Sequence, residues 1–150
     1  MNIPVVVGAA FAIFSAYLLK HAITSYRRGK ASLTWPSVDG RMTAVRLWGL
    51  RRVDGKMRDV ERLAVEYVYE VNGTRYTGAS AAFYSLVYPE TADFAERHPV
   101  ESSVRVFHDP ADPTLSVLTP GPRRDKPFSD FILAALGLLV GIGVAVLGWK

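Results

Sequence analysis

The stretch LAVEYVYEVNGTRYT, residues 63–77, decides the fold of the middle of the chain. Every second residue from Leu63 to Val71 is a large apolar or tyrosine residue, and this period of two predicts a β-strand with one buried face. Asn72-Gly73 follows at once, and a second strand begins after it. Asn-Gly between two such runs is a strong hairpin signal, because a type I′ turn needs positive φ at both central residues. The middle of the chain is therefore predicted to be antiparallel β structure.

Shorter signals on both sides extend the β-rich domain to residues 33–118. A short helix is predicted at residues 91–97, with Thr91 as its N-cap and Pro99 beyond its end. Further strands are predicted at residues 41–52, 104–107 and 115–118. Five short strands with one short helix indicate a small antiparallel β-barrel or sandwich-like domain.

The segment AAFYSLVY, residues 81–88, would be apolar on both faces if it alternated as a strand. A sheet with one solvated face has no use for a second apolar face. Burial in the core is one explanation. The other is a contact surface for the membrane or a partner protein, with Phe83, Tyr84, Leu86 and Tyr88 as its candidate residues.

Two uncharged apolar segments, residues 3–19 and 131–149, enclose this domain. As helices they would be about 26 Å and about 29 Å long, which suits a hydrocarbon core about 30 Å thick. A domain of this size could not bury two such helices on all sides. A cleaved signal peptide is disfavoured, since Met1-Asn2 places no Lys or Arg before the first segment. Both segments are therefore predicted to be transmembrane helices.

Positive residues near the ends of these segments predict their orientation. Lys150 and the amino terminus are the positive groups on the terminal side. The domain side carries Lys20, Arg27, Arg28, Lys30, Arg123, Arg124 and Lys126. The positive-inside rule then places the β domain in the cytoplasm, with both termini outside. The formal net charge of +4 favours anionic lipid headgroups as a partner.

Small residues recur at helical spacing in both apolar segments. Gly8, Ala12 and Ala16 share one face of the first, and Gly137 and Gly141 form a small-xxx-small pair in the second. Such faces let helix backbones approach closely in lipid. An antiparallel hairpin within one chain and a contact in a homo-oligomer both fit this pattern, and small residues are also common in membrane helices.

The residues that could carry chemistry are few. The chain has no cysteine, which excludes disulfides and thiolate zinc sites. His108 with Asp109 and Asp112 forms the best candidate metal or catalytic cluster. An Asp before Pro favours an extended or turn geometry, however, and Asp side chains accept nearby backbone amides. We therefore predict no metal, no cofactor and no catalysis, with an enzyme that uses these three residues on a membrane-proximal substrate as the alternative.

Basic residues cluster around the first predicted strand and the loop after it, close to Trp48. They are Arg46, Arg51, Arg52, Lys56, Arg58 and Arg62. Cations with aromatic residues can bind single-stranded nucleic acid. Asp54, Asp59 and Glu61 interleave with them and weaken the positive field, so nucleic acid is not the expected partner. Contact with lipid headgroups and a plain solvated surface are the remaining explanations.

Three motifs in order between the apolar segments resemble a known family. They are Trp35-Pro36-Ser37-Val38-Asp39-Gly40, then Tyr67-Val68-Tyr69-Glu70-Val71-Asn72-Gly73 with Tyr76-Thr77-Gly78, and then Val104-Arg105-Val106-Phe107-His108-Asp109-Pro110 with Pro113 and Val117-Leu118-Thr119-Pro120-Gly121. Over nearly the whole chain this order is similar to the family catalogued as domain of unknown function 3592. The chain departs from the family pattern at two places. It has Glu101-Ser102-Ser103 where the family tends to have a Gly, and His108 where the family tends to have Tyr. The resemblance implies a membrane-anchored β domain found in bacteria, and it supplies no activity and no catalytic residue.

Together these features predict a non-enzymatic interaction or accessory protein at the inner membrane. Its expected partners are the lipid bilayer and a protein. A specific form of this hypothesis is an immunity-type protein that neutralises a membrane-acting toxin, which rests on analogy alone.

Overall fold

The computed structural model describes residues 3–125 and 128–148. The elements in these residues are α1 (Ile3–Ser32), β1 (Ser37–Val53), β2 (Lys56–Val71), β3 (Thr74–Gly78), α2 (Glu90–Arg97), β4 (Ser103–His108), β5 (Ser116–Val117) and α3 (Ser129–Gly148). The chain divides into two compact units. We call residues 28–121 the β domain, and the described parts of residues 1–27 and 122–150 the helix pair.

The predicted fold class is confirmed. Two long apolar helices stand at the two ends of the chain, and the part between them forms a five-stranded antiparallel sheet with one short helix. The strands lie in the order β3-β2-β1-β4-β5. Asn72 and Gly73 have φ values of 50° and 80°, as the hairpin signal requires.

The sheet closes on itself beyond its two edge strands. The amide of Leu118, after β5, donates to the carbonyl of Ser80 at 3.2 Å, and the amide of Thr119 donates to that of Ala81 at 2.8 Å. Ala82 and Thr119 form a parallel bridge. The two edges of the sheet are thereby joined, and the result is a small barrel whose fully buried residues include Met42, Tyr67, Val106 and Val117.

The entry and the exit of the β domain are also joined. The hydroxyl of Ser32, at the end of α1, accepts a hydrogen bond from the amide of Gly121 at 2.9 Å. The same hydroxyl donates to the carbonyl of Gly29 at 2.6 Å. Ser32 is fully buried, so this contact is part of the interior of the domain.

Strands β1 and β2 extend well beyond the barrel as a two-stranded ribbon. β4 pairs only with residues 37–41 of β1, and β3 pairs only with residues 67–71 of β2, among the strands that the structure describes. Residues 44–53 and 56–66 pair with each other, and we call them the ribbon. Its turn is Asp54-Gly55, with φ values of 50° and 79°. An isolated ribbon is only marginally stable in water, and here α2 and the core cover one of its faces.

The structure decides two points about the segment before β4. Residues 81–88 do not alternate as a strand: apart from the bridge at Ala82 they are irregular. Ala81 and Leu86 both pack against the core, and a spacing of five residues does not fit the period of a strand. Thr91 is not an N-cap, because α2 begins one residue earlier after Pro89. The Thr91 hydroxyl donates instead to the carbonyl of Val60 and fixes α2 to the ribbon.

The helix pair consists of closely packed antiparallel helices. A Cβ atom on Gly8 would lie 2.5 Å from the amide nitrogen of Ala145, and one on Gly141 would lie 2.7 Å from that of Ala12. The backbones therefore approach as closely as the small residues allow. Ala16, which the sequence predicts on the same face as Gly8 and Ala12, is exposed instead. Ser15 takes the corresponding place and lies in contact with Gly137.

Both helices are long and apolar enough to span a membrane. In the most apolar window of each, only 11% of the residues are buried, whereas a core helix of a soluble protein is buried on most sides. This combination indicates a membrane protein. At 30 residues, α1 is longer than its apolar part, which ends before Lys20. Of the predicted features, Trp149 of the second segment and Lys126 and Lys150 of the charge argument lie outside the described residues.

Candidate interaction surfaces

The segment that follows β3 borders an open pocket in the β domain. The pocket has a volume of about 230 Å³. Two ribbon residues, Arg62 and Leu63, form one wall, and residues 79–82 and 84–86 form the rest. The lining residues include the polar residues Ser80, Tyr84 and Ser85 and the cationic Arg62.

The four residues predicted as a contact surface have different surroundings, although all are half-buried. The ring of Phe83 meets that of Trp35 edge to face at 5.7 Å. Leu86 packs against the core, so its role includes stability. The guanidinium of Arg51 lies 5.4 Å from the ring centre of Tyr88, a cation–π contact. Tyr84 lines the pocket. Of the four, Tyr84 is the best placed to touch a ligand.

A second surface lies on the ribbon. The sequence predicts a basic cluster around Trp48 but a loop at residues 53–62. These residues form the end of β1, the turn and the first part of β2 instead. Asp54-Gly55 is a hairpin signal of the same kind as Asn72-Gly73, and it was the signal that could have located the ribbon.

The candidate cluster of His108, Asp109 and Asp112 is engaged in local structure. His108 is buried, and its Nδ1 lies 3.2 Å from the carbonyl oxygen of Asp109. Asp109 Oδ1 accepts the amide of Ala111 at 2.8 Å. Asp112 Oδ1 accepts both the amide and the hydroxyl of Thr114. These are the backbone-capping bonds that an Asp-Pro turn favours. Among the described residues no group of three His, Asp or Glu side chains is placed to hold a metal ion.

Tyr67 is a buried ionisable group inside the barrel, as is the nearby Tyr69. The Tyr67 hydroxyl donates to the Ser80 carbonyl at 3.1 Å and lies 3.0 Å from the Ser116 hydroxyl. Burial raises the pKa of Tyr67 to about 12, and its two hydrogen bonds only partly offset this effect. The phenol is therefore neutral at physiological pH, and its burial with two hydrogen bonds inside the barrel assigns it to packing.

Comparison with known proteins gives one match. The family model described as "Domain of unknown function (DUF3592)" matches residues 38–123. This range includes nearly all of β1 and every later strand of the β domain together with α2, and it includes neither apolar helix. The match is therefore shorter than the resemblance noted in the sequence. No curated protein and no solved structure matches the chain.

Proposed function

The chain belongs to the DUF3592 family, and from this premise we propose that it is a membrane-anchored, non-enzymatic interaction protein of the bacterial inner membrane. Its β domain binds a partner protein in the cytoplasm. The observation that carries the proposal is the open pocket between the ribbon and residues 79–86, because a concave site with a few polar groups is where proteins bind ligands.

The lining of the pocket favours a peptide segment with an acidic side chain. Arg62 forms no ion pair with any residue that the structure describes, and its guanidinium can bind a carboxylate through two parallel hydrogen bonds. Tyr84 adds an aromatic surface with a polar end, a combination enriched in protein interfaces. The pocket is large enough for one or two side chains, and not for a folded domain. We therefore propose that an exposed loop or tail of the partner enters it.

The local bonds of the His108 cluster support a role without catalysis. A catalytic carboxylate or imidazole must reach a substrate atom. Asp109 and Asp112 each hold backbone amides of their own turn, and His108 is buried. These contacts account for the three residues as structural groups.

The cytoplasmic position of the β domain rests on the distribution of Lys and Arg. It is tested with cysteine variants, since the chain has no cysteine of its own. A cysteine at Asn72, an exposed turn residue, should react with a membrane-impermeant maleimide only after the cells are permeabilised. A cysteine at Asn2 should react in intact cells. The reverse pattern would place the domain outside.

Site-specific cross-linking in living cells tests the binding role. A photoreactive phenylalanine at Tyr84 should cross-link to a protein of defined mass, while the same residue at Tyr76 should not. Tyr76 is a matched control because it is half-buried in the same domain and stacks on Tyr69 at 5.7 Å, away from the pocket lining.

A variant that fills the pocket makes the test specific. Ser85 is exposed and lines the pocket, so Ser85→Trp should occupy the space without disturbing the core. We expect it to abolish the Tyr84 cross-link, and Arg62→Gln to weaken it. Thr77→Trp, at an exposed position of β3, should leave the cross-link intact. A cross-link that survives Ser85→Trp would exclude the pocket as the binding site.

A further inference from the structure

The outer face of the ribbon combines exposed apolar residues with arginines. The cross-strand pairs on this face are Arg46–Ala64, Trp48–Arg62, Leu50–Asp59 and Arg52–Met57. Directly opposed residues of an antiparallel ladder point to the same side. All eight are exposed, whereas the interleaved pairs Val45–Val65 and Leu47–Leu63 are half-buried or buried. The ribbon therefore has one face turned to the core and one turned outward.

The apolar residues on the outward face are large and well exposed. Trp48 is 50% exposed, Leu50 65% and Met57 55%. Single exposed apolar residues are ordinary on protein surfaces. Here three of them lie within four consecutive rungs of one ladder, where a solvated face normally carries polar residues. A grouped apolar patch of this kind indicates a binding surface.

The charges on the same face show what chemistry it matches. Arg46 and Arg52 contribute two positive charges, and Asp59 contributes one negative charge; Arg62 lines the pocket and is not counted here. Neither Arg46 nor Arg52 forms an ion pair with a residue that the structure describes, while the pair Arg51–Glu61 lies outside this set. Arginine binds phosphate oxygens in a bidentate manner and is weakly hydrated for a cation. The face is thus complementary to a surface that is anionic outside and apolar beneath.

We propose that the outward face of the ribbon binds the anionic headgroups of the bilayer in which the chain is anchored, with Trp48, Leu50 and Met57 inserted between the lipids. Tryptophan is enriched at the membrane interface, where its ring sits at the level of the headgroups. Basic residues with aromatic and aliphatic residues on one face are the features of elements that lie in a membrane surface. The two apolar helices keep the ribbon at a high effective concentration near lipid.

Nucleic acid fits this face less well. Single-stranded nucleic acid is held by successive aromatic platforms on which bases stack. This face has one aromatic residue, and Leu50 and Met57 offer no flat surface for a base. Aliphatic side chains of this size are suited to the acyl boundary of a bilayer.

An environment-sensitive probe on Leu50 tests the proposal in the full chain. The variant Leu50→Cys carries a single cysteine, because the chain has none, and it is labelled with a nitrobenzoxadiazole group. The protein is placed in nanodiscs of phosphatidylcholine alone or with phosphatidylglycerol. In discs with phosphatidylglycerol we expect a blue-shifted emission and quenching by nitroxide-labelled lipids. In discs without it, and at high salt, the probe should report water.

A matched control and two charge variants complete the experiment. The same probe on Thr74→Cys, exposed at the start of β3, should report water in both kinds of disc. With the Leu50 probe, Arg46→Gln with Arg52→Gln should lower the ratio of bound to free ribbon about 30-fold, at about fivefold per arginine. Arg46→Lys with Arg52→Lys should keep most of the binding. Arg75→Gln with Arg105→Gln removes two exposed positive charges elsewhere in the domain and should have no effect.

Four outcomes would overturn the proposal. The first is a Leu50 probe that stays in water in phosphatidylglycerol discs, and the second is a probe that is equally buried in discs of phosphatidylcholine alone. The third is a signal that depends on protein concentration in detergent without lipid, which would assign the face to a second copy of the chain. The fourth is a probe that responds only to vesicles added from outside, which would exclude the bilayer that anchors the chain. None of the ribbon variants changes a residue that lines the pocket, so the Tyr84 cross-link reports on the other proposal independently.

Discussion

The hydroxyl of Tyr67 on β2 lies 3.0 Å from the hydroxyl of Ser116 on β5, although the two strands are not neighbours in the sheet. This bond crosses the interior of the barrel, and the same phenol donates to the carbonyl of Ser80. Removing the phenol oxygen takes away both bonds: the buried Ser116 hydroxyl loses this partner, while the Ser80 carbonyl keeps only the bond from the Leu118 amide.

Tyr67→Phe should therefore lower the free energy of unfolding of the β domain by about 2 kcal/mol. Urea titration of the full chain in detergent, followed by near-ultraviolet circular dichroism, measures this change. Tyr76→Phe, at a half-buried residue of β3, serves as the control and should cost less than about 0.5 kcal/mol. Equal losses in the two variants would contradict the role given to the internal bond.

The raised pKa of Tyr67 predicts a loss of stability at alkaline pH. Its pKa is about 12 in the folded protein and 10.0 as the reference value. The unfolded chain therefore releases the phenolic proton at a lower pH than the folded domain does. Below pH 10 both states hold the proton and the stability is retained, and between pH 10 and pH 12 it falls as pH rises. We expect Tyr67 to contribute a loss of about 1 kcal/mol by pH 11, and Tyr67→Phe should remove this contribution.

Gly78→Ala should destabilise the barrel where β3 meets Tyr67. An added Cβ would overlap Cε2 of Tyr67 and would lie 2.6 Å from the Ser116 hydroxyl oxygen, so ring and strand must move apart. Overpacking of this kind typically costs about 1–3 kcal/mol. Thr77→Ala, at the exposed neighbouring position, should change stability far less. Thermal unfolding followed by circular dichroism compares the two, and similar melting temperatures would refute the close contact.

A designed disulfide separates a helix hairpin within one chain from a contact between chains. A Cβ on Gly137 would lie 3.4 Å from the Cβ of Ser15, close to the range of about 3.5–4.5 Å found in disulfides. Ser15→Cys with Gly137→Cys should oxidise within the chain and migrate as a monomer on a non-reducing gel. Gly143, where an added Cβ meets nothing within 4 Å, provides the unreactive control with Ser15→Cys. A dominant cross-linked dimer would assign the helix faces to an oligomer.

Substitutions at the Asp-Pro turn distinguish a structural role from a catalytic one. Asp109→Ala removes the acceptor for the amide of Ala111 and should lower stability by about 1 kcal/mol. At a temperature where the variant is folded, the Tyr84 cross-link and any growth phenotype of the gene should be unchanged. Asp112→Ala should behave in the same way. Loss of the phenotype with unchanged stability and an unchanged cross-link would instead favour an enzyme.

The sequence was most informative where local chemistry fixes the backbone. Asn72-Gly73 predicted its turn because few other residues accept positive φ at both positions. Asp54-Gly55 would have revealed the ribbon by the same reasoning, but the many charges on both sides of the turn obscured the alternation. The exposed face of the ribbon carries apolar residues, so the usual polar-outside pattern does not mark it.

Other features depend on contacts between residues distant in the sequence. Thr91 has the chemistry of an N-cap, yet its hydroxyl bonds the carbonyl of Val60 in the ribbon, and only the tertiary structure shows that choice. Residues 81–88 were apolar enough for a strand, but Ala81 and Leu86 reach the core at a spacing that no regular element provides. The pocket beside them is created by the meeting of this segment with Arg62, and no local pattern encodes it.

The bond between Ser32 and Gly121 holds the two ends of the β domain together. A domain whose ends lie close together can be inserted into a loop of another protein, or removed from it, without disrupting its core. Joining the two ends by a short flexible bridge should yield a self-standing soluble form. The same geometry would allow the domain to recur in membrane proteins whose transmembrane helices are unrelated. The family match fits this idea, because it covers nearly all of the β domain and neither apolar helix.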